Sequence, residues 1–232
     1  MKIAIHQPNF FPYSGFFHKL INVDTLVLLD DVQFEFDLTN RNKIISKNND
    51  WIRISIPTNK SNKFYPINKV EVNNEINWKE KNWKLILDSY YDSPFFYIYK
   101  EYLENLFSKD WKFLFDINYD TLLKTLNWLD LKIDIVRSST LNIAGSGTER
   151  LVNICKILDS TEYVSGIGGK KYLDENLFSS NNIKLSFQNY SPITYTQHNS
   201  KQFIKNLSIL DLLMNMGPKS LEQMKNIRTF LY

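Results

Sequence analysis

The stretch that decides the fold class is residues 2–31, KIAIHQPNFFPYSGFFHKLINVDTLVLLDD. Its first apolar run, residues 2–5, predicts a short buried strand, and the two prolines that follow require a defined loop. A helix should begin near Tyr13 and carry its apolar side chains inward. The second apolar run, residues 25–29, predicts another buried strand. Strand, loop, helix and strand in this order predict an α/β fold with a mostly parallel sheet flanked by helices.

Polar side chains follow both predicted strands: His6 and Gln7 end the first, and Asp30 and Asp31 end the second. Because ligands bind outside the carboxyl ends of parallel strands, these four residues should share one functional rim. His6 is a candidate general base, since the pKa of an ordinary imidazole lies near neutrality, or else a hydrogen-bonded rim residue. We expect Asp30 or Asp31 to orient His6, or the two adjacent carboxylates to bind a divalent cation. Alternatively, one aspartate caps the next turn and the other pairs with Arg41.

A second informative stretch is residues 138–172, which hold five of the chain's seven glycines. These glycines lie in two loops on either side of one predicted helix. A single apolar face predicts that helix, and it consists of Leu151, Ile154, Cys155 and Leu158. Ser146 and Glu149 have the spacing of a capping box at its start.

A short predicted strand, residues 162–165, continues into the glycine-rich turn SGIGGK, residues 165–170. Such a turn can present backbone N–H groups and the Lys170 ammonium to a phosphate or a carboxylate. Its spacing differs from that of a P-loop. The alternative is a tight strand-to-helix turn with a solvated lysine.

The rest of the chain alternates less regularly between predicted strands and helices. Further strands are predicted at residues 51–56, 67–72, 133–136 and 183–187, and further helices at residues 78–90, 95–107, 111–129, 171–179 and 203–215. The helices within residues 76–130 interrupt the β/α rhythm and predict a helical sub-domain. We treat it as an insertion within a single domain of residues 1–232.

Composition excludes several classes of protein. The net charge of +3 comes from 28 basic and 25 acidic residues, which is too balanced for a dense nucleic-acid-binding surface. The single cysteine, Cys155, excludes a disulfide within the chain. No apolar run approaches the roughly 20 residues of a membrane span, and no signal peptide is apparent. We therefore expect a cytoplasmic protein; the sequence identifies no cofactor and leaves the oligomeric state open.

Several residues outside the two stretches are suited to substrate binding. Arg41 and Arg150 can bind an anion bidentately, and Trp51 and Tyr172 can stack on a base or a sugar ring. No histidine or cysteine pair at ligand spacing predicts a transition-metal site, and no nucleophile elbow or dinucleotide fingerprint occurs. The residues expected to bind substrate are Gln7, Asn9, Gln33, Asn40, Arg41, Trp51, Arg150, Ser165, Gly166, Gly168, Gly169, Lys170, Tyr172 and His198.

Seven segments together resemble the WbqC-like family, and the resemblance covers nearly the whole chain. In order they are HQPNFFPYSG (6–15), DDVQ (30–33), NRN (40–42), WIRISIP (51–57), GTERL (147–151), YVSGIGGK (163–170) and LSILDLL (207–213). Members of this family are typically encoded among bacterial O-antigen or capsule genes. The resemblance therefore implies work on a nucleotide-linked sugar in lipopolysaccharide or capsule synthesis.

The N-terminal segment PYSGF, residues 12–16, also resembles a degraded HIGH motif of the nucleotidyltransferase superfamily. That resemblance implies a Rossmann-like, HIGH-superfamily-like fold. In the motif, two histidines hold the phosphates of ATP. Here Tyr13 and Phe16 occupy the histidine places, a departure that argues against nucleotidyl transfer.

These observations predict a transferase that attaches an acyl or aminoacyl group to the amine of a nucleotide-linked amino sugar. His6 would deprotonate the amine, and Asp30 or Asp31 would orient His6. The 166–170 turn and Arg150 would hold an anionic group of the sugar nucleotide or of the acyl or amino-acid donor. The alternatives are a non-catalytic scaffold protein of polysaccharide assembly and an ATP-dependent carboxylate-activating enzyme.

Overall fold

The computed structural model describes residues 1–198, 200–226 and 230–231, and it is a mixed α/β structure. Its strands are β1 (Lys2–His6), β2 (Thr25–Leu28), β3 (Arg41–Ser46), β4 (Asp50–Ser55), β5 (Asp134–Arg137), β6 (Glu162–Gly166), β7 (Lys184–Asn189) and β8 (Phe230–Leu231). Its α-helices are α1 (Ser14–Leu20), α2 (Trp78–Tyr90), α3 (Phe96–Ser108), α4 (Leu114–Trp128), α5 (Gly147–Ile157), α6 (Glu175–Ser179), α7 (Ile209–Met216) and α8 (Ser220–Lys225). None of the helices in these ranges has the length and apolarity needed to span a membrane.

The main sheet has the strand order β5-β2-β1-β6-β7-β8. Its first five strands are parallel, and only the short β8 pairs antiparallel, with β7. The predicted mostly parallel sheet with flanking helices is therefore confirmed. The chain builds β1, β2 and β5 in one direction across the sheet and then returns to place β6 on the other side of β1. The gap between β1 and β6 is thus the point where the strand order reverses.

Alternating side chains of the central strands separate two apolar cores. Ala4 of β1 and Leu26 of β2 belong to the larger core, which also contains residues of α1, α2, α3, α4 and α7. Ile5 of β1 and Val27 of β2 belong to the smaller core, with α5 and α6. Because successive residues of a strand point to opposite faces, helices cover both faces of the sheet. The helices predicted as a sub-domain pack in the same core as α1 and β2.

The region between β2 and α2 differs from the prediction. The strand predicted at residues 51–56 is present as β4, but its antiparallel partner β3 was not foreseen. The strand predicted at residues 67–72 is wrong, because Ile67–Lys69 forms a short 3-10 helix. Backbone hydrogen bonds of this segment go to separate partners, from Asn68 N to the Asp30 carbonyl and from Leu114 N to the Val70 carbonyl. The described part of the chain therefore offers this segment no single neighbouring strand.

The starts of two predicted helices and the predicted cap of a third also differ from the structure. The helix predicted from residue 171 begins at Glu175, because Asp174 is its N-cap. The Asp174 carboxylate accepts hydrogen bonds from the backbone N–H groups of Asn176 and Leu177. The helix predicted from residue 203 begins only after Ser208, whose hydroxyl accepts from Leu210 N. At the start of α5 the Ser146 side chain makes no capping hydrogen bond, so the predicted capping box is wrong.

Candidate functional site

Two cavities lie at the carboxyl ends of β1 and β6, where the strand order reverses. The Lys19 cavity has a volume of about 270 Å³ and contains the side chain of Lys19. The Arg150 cavity has a volume of about 440 Å³ and contains Arg150. Both are lined by Ile5, His6, Tyr163 and Tyr172. Ligands of open parallel sheets bind at such a reversal, so these two cavities form the candidate site.

His6, the last residue of β1, stands between the two cavities. Its Nδ1 lies 2.8 Å from the Gln7 carbonyl oxygen. A carbonyl only accepts hydrogen bonds, so Nδ1 carries the proton and the lone pair of the neutral ring is on Nε2. Burial and the nearby charge of Lys19 lower the pKa of His6 to about 4, although Gln7 and the Asn9 side chain oppose the shift. The imidazole is therefore neutral at physiological pH.

Lys19 is the most unusual side chain of the site. It lies on α1, only 4% of it is exposed, and it lines the Lys19 cavity. Within the described part of the chain it has no hydrogen bond or ion pair, and its charge acts on His6. Burial lowers the pKa of Lys19 to about 8. The cavity thus holds a cation that the fold does not neutralise.

The loop before α1 puts an aromatic ring into the wall of the same cavity. Tyr13 packs its ring against the backbone of Gly15, where a Cβ atom would lie 2.3 Å from Tyr13 Cε2. Gly15 is therefore required for this ring position. On α1, Phe16 faces the cavity as well, and its ring meets the His6 ring edge-on at a centroid distance of 5.0 Å.

The glycine-rich turn after β6 forms another wall of the Lys19 cavity. Gly166 and Gly168 line it, and no atom lies within 4 Å of where their Cβ atoms would be, so a ligand could approach their backbone closely. Gly169 has a packing role, since a Cβ there would meet Ser165 Oγ at 2.2 Å. Lys170 is exposed, lines neither cavity, and holds its Nζ 5.2 Å from the centre of the Phe187 ring.

Arg150 differs from Lys19 because its charge is compensated. Its Nη2 donates to Asp31 Oδ2 at 2.6 Å, and its Nη1 donates to the Ile143 carbonyl at 2.6 Å. Its Nε is buried and has no hydrogen-bond partner among the described residues. Gln7 Oε1, in the same cavity wall, is also buried without a partner in that part of the chain. Such orphaned groups indicate that a polar ligand or water belongs here.

Among the described hydrogen bonds, none joins Asp30 or Asp31 to His6, so the expected orienting hydrogen bond is absent. Asp30 is fully buried and accepts from Arg137 Nη2 at 2.7 Å, Ser139 Oγ at 2.7 Å and Ser139 N at 2.9 Å. Burial raises the pKa of Asp30, but these hydrogen bonds outweigh burial and hold it below its ordinary value. Asp30 therefore links the end of β2 to the end of β5, while Asp31 forms an ion pair with Arg150. The alternative, in which Asp30 or Asp31 pairs with Arg41, is not present either, because the partner of Arg41 is Asp37.

The other predicted residues lie outside the two cavities. Asn9 donates to the Leu38 carbonyl, Asn40 is buried and donates to the Ile56 carbonyl, and Gln33 is exposed and donates to the Lys63 carbonyl. Arg41 pairs with Asp37, and exposed Trp51 lies under the cations of Lys43 and Arg53. His198 is exposed, and its backbone N–H donates to Asn215 Oδ1.

The structure thus brings together His6, Gln7, Arg150, Ser165, Gly166, Gly168, Gly169 and Tyr172. Sequence reasoning missed Lys19, Tyr13 and Gln188 as lining residues. The signal for Lys19 was its position three residues after Phe16 and four after Gly15, on the same face of α1. Its burial was not foreseeable from periodicity, because most of α1 is buried on all sides.

Comparison with known proteins agrees with the sequence motifs. A model of the WbqC-like protein family matches residues 7–223, a span that contains every residue lining the two cavities except Ile5 and His6. The chain is similar to uncharacterized protein Rv1507c of Mycobacterium tuberculosis (strain ATCC 25618 / H37Rv), with 26% identity over 98% of this chain and 99% of that protein. No solved structure matches the chain. Because the family model covers most of its length, the chain belongs to the WbqC-like protein family.

Proposed function

We propose that the protein is a transferase that attaches an acyl or aminoacyl group to the amine of a nucleotide-linked amino sugar. The observation that carries the proposal is the position of His6, a neutral imidazole between two cavities at the reversal of strand order. Two substrates need two adjoining spaces with a proton acceptor between them. The sugar-nucleotide part of the proposal rests on the resemblance carried by the seven sequence segments.

The strand order and the cavity walls support a nucleotide-linked substrate. The five parallel strands follow the order of the first five strands of doubly wound dinucleotide-binding folds, with the cavities at the corresponding crevice. Gln7 Oε1 and Arg150 Nε offer an acceptor and a donor to a polar ligand in the Arg150 cavity. Exposed Tyr172, which lines both cavities, offers a ring on which a base or sugar can stack.

The proposed reaction uses His6 for proton transfer. The amine nitrogen attacks the acyl carbonyl carbon, a C–N bond forms, and the bond between the acyl group and its carrier breaks. The amine proton passes to His6 Nε2 and then to the departing carrier group. Because the pKa of His6 is about 4, the ring is unprotonated and available at neutral pH, but it is a weak base. Most of the rate enhancement would then come from holding the two substrates together.

The test is an assay for N-acylated product by mass spectrometry, with nucleotide-linked amino sugars and a panel of acyl and aminoacyl thioesters. His6→Gln is the informative variant, because its amide can still donate to the Gln7 carbonyl but cannot take up the amine proton. We expect product from the wild type and a loss of about 100-fold or more in kcat for His6→Gln. Full activity of His6→Gln would overturn the assigned role, and no product from any donor would favour the non-catalytic scaffold.

A second candidate is ATP-dependent carboxylate activation, which one observation favours. Tyr13 and Phe16, in the places of the two HIGH histidines, both line the Lys19 cavity. Pyrophosphate release from ATP in the presence of amino acids or other carboxylates would support this reading. The same mixture without a carboxylate is the control.

A further inference from the structure

A buried lysine without a counter-charge needs an explanation. Only 4% of Lys19 is exposed, its Nζ reaches the cavity, and it has no carboxylate, carbonyl or hydroxyl partner in the described part of the chain. Burying an unpaired ammonium is unfavourable, and an apolar side chain of similar length would fill the same space at lower cost. A group of this kind is expected where a ligand supplies the missing charge.

The surroundings of Lys19 are suited to an anion rather than to a structural partner. His6, Tyr13 and Tyr163, which also line the cavity, provide no negative charge at neutral pH, since burial lowers the pKa of His6 and raises the pKa of Tyr13 and Tyr163. The opposite wall is formed by Gly166 and Gly168, whose backbone is open to close approach. None of the described residues that line this cavity is acidic.

We propose that the Lys19 cavity binds the phosphate groups of the nucleotide-linked substrate and that Lys19 is the residue that holds them. This inference rests on the proposed function and deepens it. It moves the anion contact from the exposed Lys170 and the already paired Arg150 to Lys19. A phosphate oxygen would accept from the Lys19 ammonium, while the open backbone at Gly166 and Gly168 lets the rest of the group lie against the turn.

Binding of inorganic pyrophosphate tests the proposal without any assumption about the acyl donor. Isothermal titration should give a dissociation constant for the wild type that rises about thirtyfold or more in Lys19→Met, because the ion pair is lost. Lys156→Met is the matched control, since Lys156 is an exposed lysine on α5 that lines neither cavity, and its affinity should equal that of the wild type. Lys19→Gln provides a second variant if the methionine protein does not fold.

Three results would overturn the proposal: unchanged pyrophosphate affinity in Lys19→Met and Lys19→Gln, an equal loss in Lys156→Met, or no binding of pyrophosphate to the wild type. Acetate provides a carboxylate arm, and Lys19-dependent binding of acetate without pyrophosphate would also overturn the phosphate assignment. The acyl-transfer assay separates this inference from the proposed function. If pyrophosphate binding depends on Lys19 but no acyl transfer is detected, only the anion site is supported. If acyl transfer is detected and its KM is unchanged in Lys19→Met, only the transferase function is supported.

Discussion

The two cavities at the reversal of strand order each contain one basic side chain, but the fold treats the two charges differently. Arg150 is neutralised by Asp31 and also donates to the Ile143 carbonyl. Lys19 is more deeply buried, and its neighbours in the cavity include no acidic side chain. An ion pair completed within the fold maintains the shape of the site. An uncompensated charge lowers stability and is retained where function needs it.

The comparison predicts opposite effects on stability when each cation is replaced by methionine. Arg150→Met should lower the free energy of unfolding by about 3 kcal/mol, because the partly buried Asp31 carboxylate would lose its cation. Urea denaturation at neutral pH measures the change. The double variant Arg150→Met with Asp31→Asn is the control and should recover part of the loss. An unchanged midpoint for Arg150→Met would mean that this pair is solvated and does not maintain the cavity.

His6, shared by both cavities, should make the protein sensitive to mild acid. Its pKa is about 4 in the folded chain and 6.5 for an ordinary imidazole, so the unfolded chain binds the proton first as the pH falls. The stability that this difference provides is present above pH 6.5 and is lost as the pH falls to about 4, by about 3 kcal/mol. Urea midpoints of the wild type and His6→Gln across this range measure the effect. If the urea midpoints of the two proteins changed equally with pH, this role of His6 would be contradicted.

Much of the fold was predictable because local patterns determine it. The apolar runs that became β1 and β2 lie next to each other along the chain, and α2 was predicted with the bounds that the structure shows. The strand prediction for residues 67–72 was wrong because the apolar residues of this segment face the core while its backbone pairs with three separate regions. Such pairing depends on tertiary contacts that no local pattern records.

The site was predictable in position but only partly in its residues. The carboxyl ends of the strands indicated the rim, and His6 and Gln7 both lie in the cavity walls. The partners of Asp30 and Asp31 were not foreseeable, because Arg137 and Arg150 lie more than 100 positions away in the chain. Lys19 was missed because a lysine beside a histidine in an amphipathic pattern normally lies on the exposed face of a helix. Helix α1 has almost no exposed face.

Lys19→Met tests the same comparison at the other cavity. Its expected effect on stability is the smallest and is opposite in sign to that of Arg150→Met. Replacing a buried, unpaired ammonium by an apolar side chain of similar length should raise the free energy of unfolding by about 1 kcal/mol. The pKa of Lys19 is about 8 when folded and 10.5 ordinarily, so the unfolded chain retains its proton to higher pH. The gain should therefore be full below pH 8 and should shrink as the pH rises towards 10.5.

Urea midpoints of the wild type, Lys19→Met and the exposed-site control Lys156→Met measure this effect, and the control should change by less than about 0.5 kcal/mol. A Lys19→Met protein that is more stable and yet no longer binds pyrophosphate would identify Lys19 as a charge kept for a ligand. Destabilisation of a folded Lys19→Met protein would instead show that the ammonium has a favourable partner within the fold. In that case the two cations of the site would be equivalent, and the contrast between the cavities would no longer hold.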